Sequence, residues 1–220
     1  MTEHPFPIRH APWERTRERL ARWWQRDDFI VSITAPRDSA YPPDQTFWLA
    51  GGIDTQGLLA EPTDLETAWT DPQRRISIAQ RMMQRTFYAG DAFPHFDTNL
   101  GPGSLALLLG SQPHFMHDTV WYEPCIDDLA DHPPLRFDPA HPWFARHKAL
   151  IEAGVEASAG RFPVTMPDLI ENLDILTSLR GGQPLLLDLV ERPELVRQRV
   201  AEINQVYFEV FDALYPLIAE

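Results

Sequence analysis

A single cysteine in 220 residues, Cys125, leaves the chain without an internal disulfide and without a CxxC metal site. That usage fits a reducing compartment. Long apolar runs are also missing: LALLLG, Leu105 to Gly110, falls far short of the ~18 residues a helix needs to cross a bilayer. The opening MTEHPFPIRHAPWERT carries Glu3 and two early prolines in place of a basic stretch followed by an apolar one, so it does not read as a secretory signal. The expectation is a cytoplasmic protein with no membrane partner. Positive charge is scarce, with 19 Lys and Arg against 32 Asp and Glu, a net charge of −13 and a pI near 5.0. This balance repels a phosphate backbone, and no basic cluster interleaved with aromatics offsets it, so nucleic acid is not an expected partner. No internal repeat or low-complexity tract is evident.

Hydrophobic residues make up 44% and charged residues 23% of the chain, the ordinary range for one globular domain, taken as residues 1–220. The 7 Trp and 12 Phe beside 21 Pro suit rigid loop entries and bulky pocket walls better than a plain helical bundle.

Hydrophobic periodicity predicts a helix from about Pro12 to Arg26, with Trp13, Leu20, Trp23 and Trp24 on its apolar side, and then a short buried strand over Phe29 to Pro36. The loop SAYPPDQTFWLAGG that follows is long for a simple connection and is expected to cover a site. Asp71 as N-cap, Pro72 at the first helical position, Ile76, Ala79, Met83 and Phe87 at helical spacing and Gly90 as the stop define the next helix. FPHFDTN reads as a strand entering a loop, GPGSLALLLG as a turn opening a short buried helix, and FMHDTVWYEP as a further strand-like patch. Phe144 to Gly160 is predicted helical, Arg161 to Asp168 a strand, LIENLDILTSLRGG a helix, and the stretch behind Pro193 a long helix. Short strands alternating with longer helices favour a parallel α/β arrangement, with the loops after the strands gathered on one face.

His95 and Asp97 lie two apart in the strand-like segment, so their side chains share a face. Asn99 and the turn Gly101 to Gly103 bring polar groups and backbone N–H groups beside them, although a glycine-rich turn alone is weakly specific and Asp97 would equally serve to cap that turn. HFMHD adds His114, His117 and Asp118, but an i, i+3 histidine pair does not by itself converge on a metal, and roles beside a site are the plainer reading. Trp121 and Tyr122 offer aromatic walls for a flat ligand or simply core packing, with Glu123 next to them. Asp168 and Asn172, four apart, would share a helix face, with Asp174 two residues further on; Asp168 serves alternatively as a helix N-cap. Arg180 suits either a carboxylate ligand or the C-terminal end of a helix dipole, and Cys125 between Pro124 and Ile126 reads as structural.

The ordered series GDAFPHFDTNLGPGSLALLLGS, HDTVWYEP, LRFDPAHPWF and GRFPVTMPDLIENLDILTSLRGGQPLLLDLVERPELV resembles the uroporphyrinogen decarboxylase-like proteins, which include the decarboxylase and the methylcobamide-dependent methyltransferases. The likeness runs from about Asp71 to Val206, and its specificity lies in the order of the pieces. The resemblance implies an α/β fold, a (β/α)8 TIM-type barrel with its site at the C-terminal ends of the strands. A complete barrel takes about 250 residues, so the resemblance also implies that about the first half is present and that the domain is truncated on its C-terminal side. A missing C-terminal portion, a second copy forming a homodimer, or an unusual closure would then cover the open edge.

By the same resemblance Asp97 would accept hydrogen bonds from pyrrole N–H groups or hold a cationic intermediate, with His95 as its catalytic companion. Asn99, His117, Trp121, Tyr122, Asp168 and Asn172 would then bind substrate. Two departures stand out. The stretch RTRER, Arg15 to Arg19, lacks the RQAGRY pattern with which the decarboxylase reads substrate carboxylates. The zinc ligands of the methyltransferases lie mostly in the later half of the barrel, so no metal ligand is assigned here and zinc would come only through that half. The implied function is methyl transfer on a tetrapyrrole or corrinoid-linked substrate, with porphyrinogen decarboxylation or a non-catalytic half-barrel as the alternatives.

Overall fold

Aspartates start the early helices. The computed structural model describes residues 11–36, 64–117, 119–170 and 172–218. The loop SAYPPDQTFWLAGG, Glu3, Asp118 and Glu171 lie outside them. After α1 (Ala11–Trp24) and β1 (Ser32–Pro36), Asp64 caps α2 (Leu65–Thr70) by accepting from the Thr67 N–H at 2.7 Å. Asp71 caps α3 (Pro72–Arg85) in the same way, accepting from the Arg74 N–H at 2.6 Å, with Pro72 where no N–H is needed.

The helix expected to reach Gly90 ends at Arg85. Thr86–Gly90 forms β2, antiparallel to β1 with Ile33 opposite Ala89 and Ala35 opposite Phe87. The run TFYAG satisfied the helical period by chance, and its β-branched and aromatic residues favour a strand once β1 is at hand. Phe87 therefore leaves the helical stripe and is exposed, as is Ile33, so the strand expected to be buried is not. A two-stranded ribbon has too little partner surface to cover both faces. Trp23 and Trp24 at the end of α1 are exposed as well. Asp91 ties this region together: its Oδ2 accepts from the Val31 N–H at 2.9 Å and its Oδ1 lies 3.4 Å from Arg19 Nε.

The segment expected as the strand FPHFDTN makes one parallel bridge, Phe96 to Val164, with the Phe96 N–H donating to Pro163 at 2.9 Å and the Thr165 N–H to Phe96 at 3.0 Å. Phe96, Thr98 and Leu100 are buried, whereas His95 is exposed and Asp97 and Asn99 are part-exposed, the alternation of an extended chain. Between the two bridged segments come α4 (Leu105–Leu108), the hairpin of β3 (Gln112–Phe115) and β4 (Val120–Glu123), and α5 (Pro142–Ser158). The patch read as one strand is thus part of two arms turning at Met116 to Thr119, with His114 opposite Trp121. Helix α5 packs on α3 and carries Gly154 against Phe96; a Cβ on Gly154 would fall 2.5 Å from the ring, so only glycine permits this approach.

The remainder is helical: α6 (Asn172–Arg180), α7 (Gly182–Glu191) and α8 (Pro193–Leu214). The main core joins α4 to α8 through Leu105, Leu129, Ile151, Ile175, Leu179 and Ile203, and a smaller one sets Ile76 and Met83 of α3 against Phe96 and Phe162. Among the described residues the strands form two antiparallel pairs and the one parallel bridge. No helix among them is long and apolar enough to cross a membrane.

Candidate functional site

The extended segment from His95 to Asn99 runs past its bridge to Val164 into a bend at Leu100, and a residue far back in the chain is bonded to its main chain. Arg75, on the buried face of α3, is fully enclosed. Its Nη1 donates to the carbonyls of Trp69 at 2.9 Å and Asn99 at 2.8 Å, and its Nη2 donates to that of Asp97 at 2.7 Å. A guanidinium presents several donors in a fixed fork, so one side chain sets the spacing of all three carbonyls. Burial lowers its pKa to about 10, and the Asp97 carboxylate works against that fall. Arg75 remains charged at neutral pH.

Asp97 folds back through Oδ1, which accepts from the Asn99 N–H at 2.8 Å. The side-chain oxygen of Asn99 accepts from the Asp168 N–H at 3.2 Å, joining residues 69 apart. This bond fixes the amide's orientation and turns its NH2 away from Asp168 N. Ser104 closes the junction by donating both its N–H and its hydroxyl to the Asp168 carbonyl, each at 3.0 Å, and Thr98 Oγ1 donates to Thr165 at 2.8 Å. On the other flank, the Tyr122 hydroxyl donates to the Leu100 carbonyl at 2.9 Å. Burial, assisted by the Asp168 carboxylate, pushes the phenol well above the ordinary tyrosine range, so it stays neutral. Gly101, at φ +97°, passes beneath it, and a Cβ there would meet Val120 at 2.6 Å.

Asp97, Asn99 and Asp168, which follow the two bridged segments, and Tyr122 of β4 thus form one rim of two carboxylates, an amide and a phenol. His95 lies on the same side of the extended segment as Asp97, is exposed, and meets the Phe93 ring edge-on at 6.2 Å.

Other expected members are placed elsewhere. Trp121 and Tyr122 are neighbours on β4 and so point to opposite faces: Tyr122 turns in towards Leu100, while Trp121 is 65% exposed beside His114, so the two cannot wall one ligand together. His117 sits exposed in the hairpin turn without a hydrogen bond to Asp97 or Asn99. Asp168 and Asn172 do not share a helix face, because α6 begins only at Asn172 and both Ile170 (φ +46°) and Asn172 (φ +60°) are left-handed. Asp168, four residues ahead of that helix, is not its N-cap either. A left-handed β-branched residue is uncommon and strained, and here it borders the rim. Arg180 is engaged in an ion pair with Asp188 at 2.8 Å, and Cys125 is exposed with its thiol pushed up by partial burial.

No three His, Cys, Asp or Glu side chains among the described residues converge to hold a metal ion. Sequence reasoning missed Arg75 and, behind it, His147 on α5, an imidazole wholly buried with neither ring nitrogen partnered by a described residue. Both betray themselves by period. Arg75 stands among Ile76, Ala79 and Met82 in the apolar stripe of α3, and His147 stands among Phe144, Ile151 and Gly154 in that of α5. Comparison with protein-family models, curated proteins and solved structures gives no match.

Proposed function

We propose that the chain is about the first half of a uroporphyrinogen decarboxylase-like (β/α) barrel, and that its rim binds a tetrapyrrole or corrinoid-linked substrate for methyl transfer. The observation that carries this reading is the junction of Asn99 with Asp168 immediately after the parallel bridge of Phe96 to Val164. In a (β/α) barrel, functional side chains follow successive parallel strands on one face. A carboxylate follows each bridged segment, Asp97 next to Phe96 and Asp168 four residues past Val164, in keeping with site residues carried beyond the ends of parallel strands. The rim is rich in acceptors: Asp97 uses Oδ1 on Asn99, and its Oδ2 takes no described donor. That oxygen suits a ligand N–H, supplied by a pyrrole or by the amide side chains of a corrinoid.

Acceptors facing N–H groups serve a second reading equally well, porphyrinogen decarboxylation with Asp97 stabilising the protonated pyrrole. A non-catalytic half-barrel that only binds is the third. One experiment separates them. The protein is incubated with methylcobalamin and a thiol acceptor, and separately with uroporphyrinogen, following loss of the methylcobalamin absorbance and loss of substrate carboxylates by HPLC. Methyl transfer is expected, reduced at least tenfold by Asp97→Ala. Loss of carboxylates without demethylation would replace it with decarboxylation; binding with neither reaction would leave the half-barrel, and no binding would refute all three. A cytoplasmic location belongs to the same proposal, supported by the unpaired Cys125.

A further inference from the structure

The main chain that carries Asp97 and Asn99 is bonded from behind by a residue of α3 as well as by the rim's own side chains. We propose that Arg75 is the positioning residue of this site. Its guanidinium binds the carbonyls of Asp97 and Asn99 and thereby holds the main chain in the course that lets Asp97 Oδ1 meet the Asn99 N–H and Asn99 Oδ1 meet the Asp168 N–H. The inference rests on the reading of the rim as a binding site, but Arg75's own role is decided without any ligand.

Three features distinguish Arg75 from an ordinary helix arginine. It is wholly buried, where a guanidinium is costly to place unless it is well bonded. Its hydrogen-bond partners are all main-chain carbonyls, and two of them, Asp97 and Asn99, flank Thr98. The third, Trp69, anchors the same side chain at the end of α2, so the Asp97 to Asn99 segment is tied to a helix and not to a neighbouring loop. Helix α5 closes the far side with His147, whose neutral ring adds no charge to compete with Arg75. Asp97 consequently receives order from two directions: its carbonyl is held by Arg75 and its Oδ1 by the Asn99 N–H. Asn99 is held likewise through its carbonyl, which leaves its side-chain oxygen aimed at the Asp168 N–H. Removing the guanidinium releases both carbonyls at once and breaks the geometry that brings the two carboxylates to one rim. Lysine does not replace it, since a single ammonium cannot span three fixed acceptors.

The test compares Arg75→Lys and Arg75→Met with the unaltered protein by amide hydrogen exchange in the absence of ligand. Two amides report the rim, Asn99 N–H on Asp97 Oδ1 and Asp168 N–H on Asn99 Oδ1. The core amides of Leu150 and Ile203 report the global fold. With Arg75 as a positioning residue, Arg75→Lys speeds exchange at Asn99 and Asp168 at least tenfold while Leu150 and Ile203 stay within twofold. Methylcobalamin affinity, if the unaltered protein has any, falls by a similar factor. Uniform acceleration at all four amides, no change at the rim pair, or failure of both variants to fold would overturn the assignment, because Arg75 would then serve only the fold or nothing. Failure of the unaltered protein to bind methylcobalamin counts against the functional reading alone, since the exchange result is obtained on the free protein.

Discussion

His147 carries the sharpest consequence of any single side chain. Burial and the neighbouring Arg75 charge lower its pKa from 6.5 to about 4, so the folded protein holds the ring neutral while an unfolded chain protonates it near 6.5. For a base with a depressed folded pKa, the unfolded state binds more protons between these two values. The associated stability is complete above about pH 6.5 and is lost as the pH falls towards 4. The loss amounts to a few kcal/mol, at about 1.4 kcal/mol for each pH unit. His147→Leu removes the titration together with two buried nitrogens that have no described partner. We expect the variant to equal or exceed the native protein in urea denaturation at pH 7 and to lose less stability between pH 7 and pH 4.5; an unchanged difference between the two pH values would contradict this account. Nothing in a one-dimensional reading marked His147 as more than a member of an apolar stripe. Its lack of partners depends on what α3 places opposite it.

At the scale of elements, the meeting of α5 with the Phe96 segment controls the rim, because the bridge to Val164 is short and is braced from behind. Gly154 is where the helix approaches most closely, and a methyl group there would press on the Phe96 ring at 2.5 Å. Gly154→Ala raises helix propensity, which is worth under about 1 kcal/mol. Overpacking a close contact costs about 1 to 3 kcal/mol, so the clash outweighs the propensity gain. Net destabilisation is expected in thermal melts, accompanied by a change in the Asn99 and Asp168 amide resonances; a rise in melting temperature would show that the ring yields freely.

Element starts were legible in the sequence. Asp71 with Pro72 marked the start of α3, and Pro193 that of α8, because caps and prolines act within one turn of chain. The split between Trp121 and Tyr122 was also legible in principle, since adjacent strand residues face opposite ways. β2 was not, because TFYAG fits both periods and only its pairing with β1 decides between them.

At the scale of the whole molecule, one buried carboxylate adds to the apolar core in tying the C-terminal helices together. Asp188 of α7, 2% exposed, binds Arg180 at the end of α6 and Arg192 at the junction with α8, and Arg192 also reaches Asp128. Burial alone would raise the Asp188 pKa, but the hydrogen bonds and charges of Arg180 and Arg192 outweigh it and hold the carboxyl below its ordinary value. Asp188→Asn keeps the shape and deletes the charge, leaving Arg180 without a carboxylate. A loss of about 3 kcal/mol is expected in chemical denaturation, because removing one partner of a buried pair strands the other. A loss below about 1 kcal/mol would mean that solvent already screens the network.

The amino-acid sequence by itself determined where most helices begin, which residues alternate along the extended segment from His95 to Asn99, and that the chain is strongly acidic. These properties arise from contacts within a turn or two of chain, or from composition. Only the tertiary structure decided that Asn99 would meet Asp168 across 69 residues and that Arg75 would bind the carbonyls of Asp97 and Asn99. The physical reason is that local rules set the direction of a side chain relative to its own element, whereas its partners depend on how elements distant in the chain pack together.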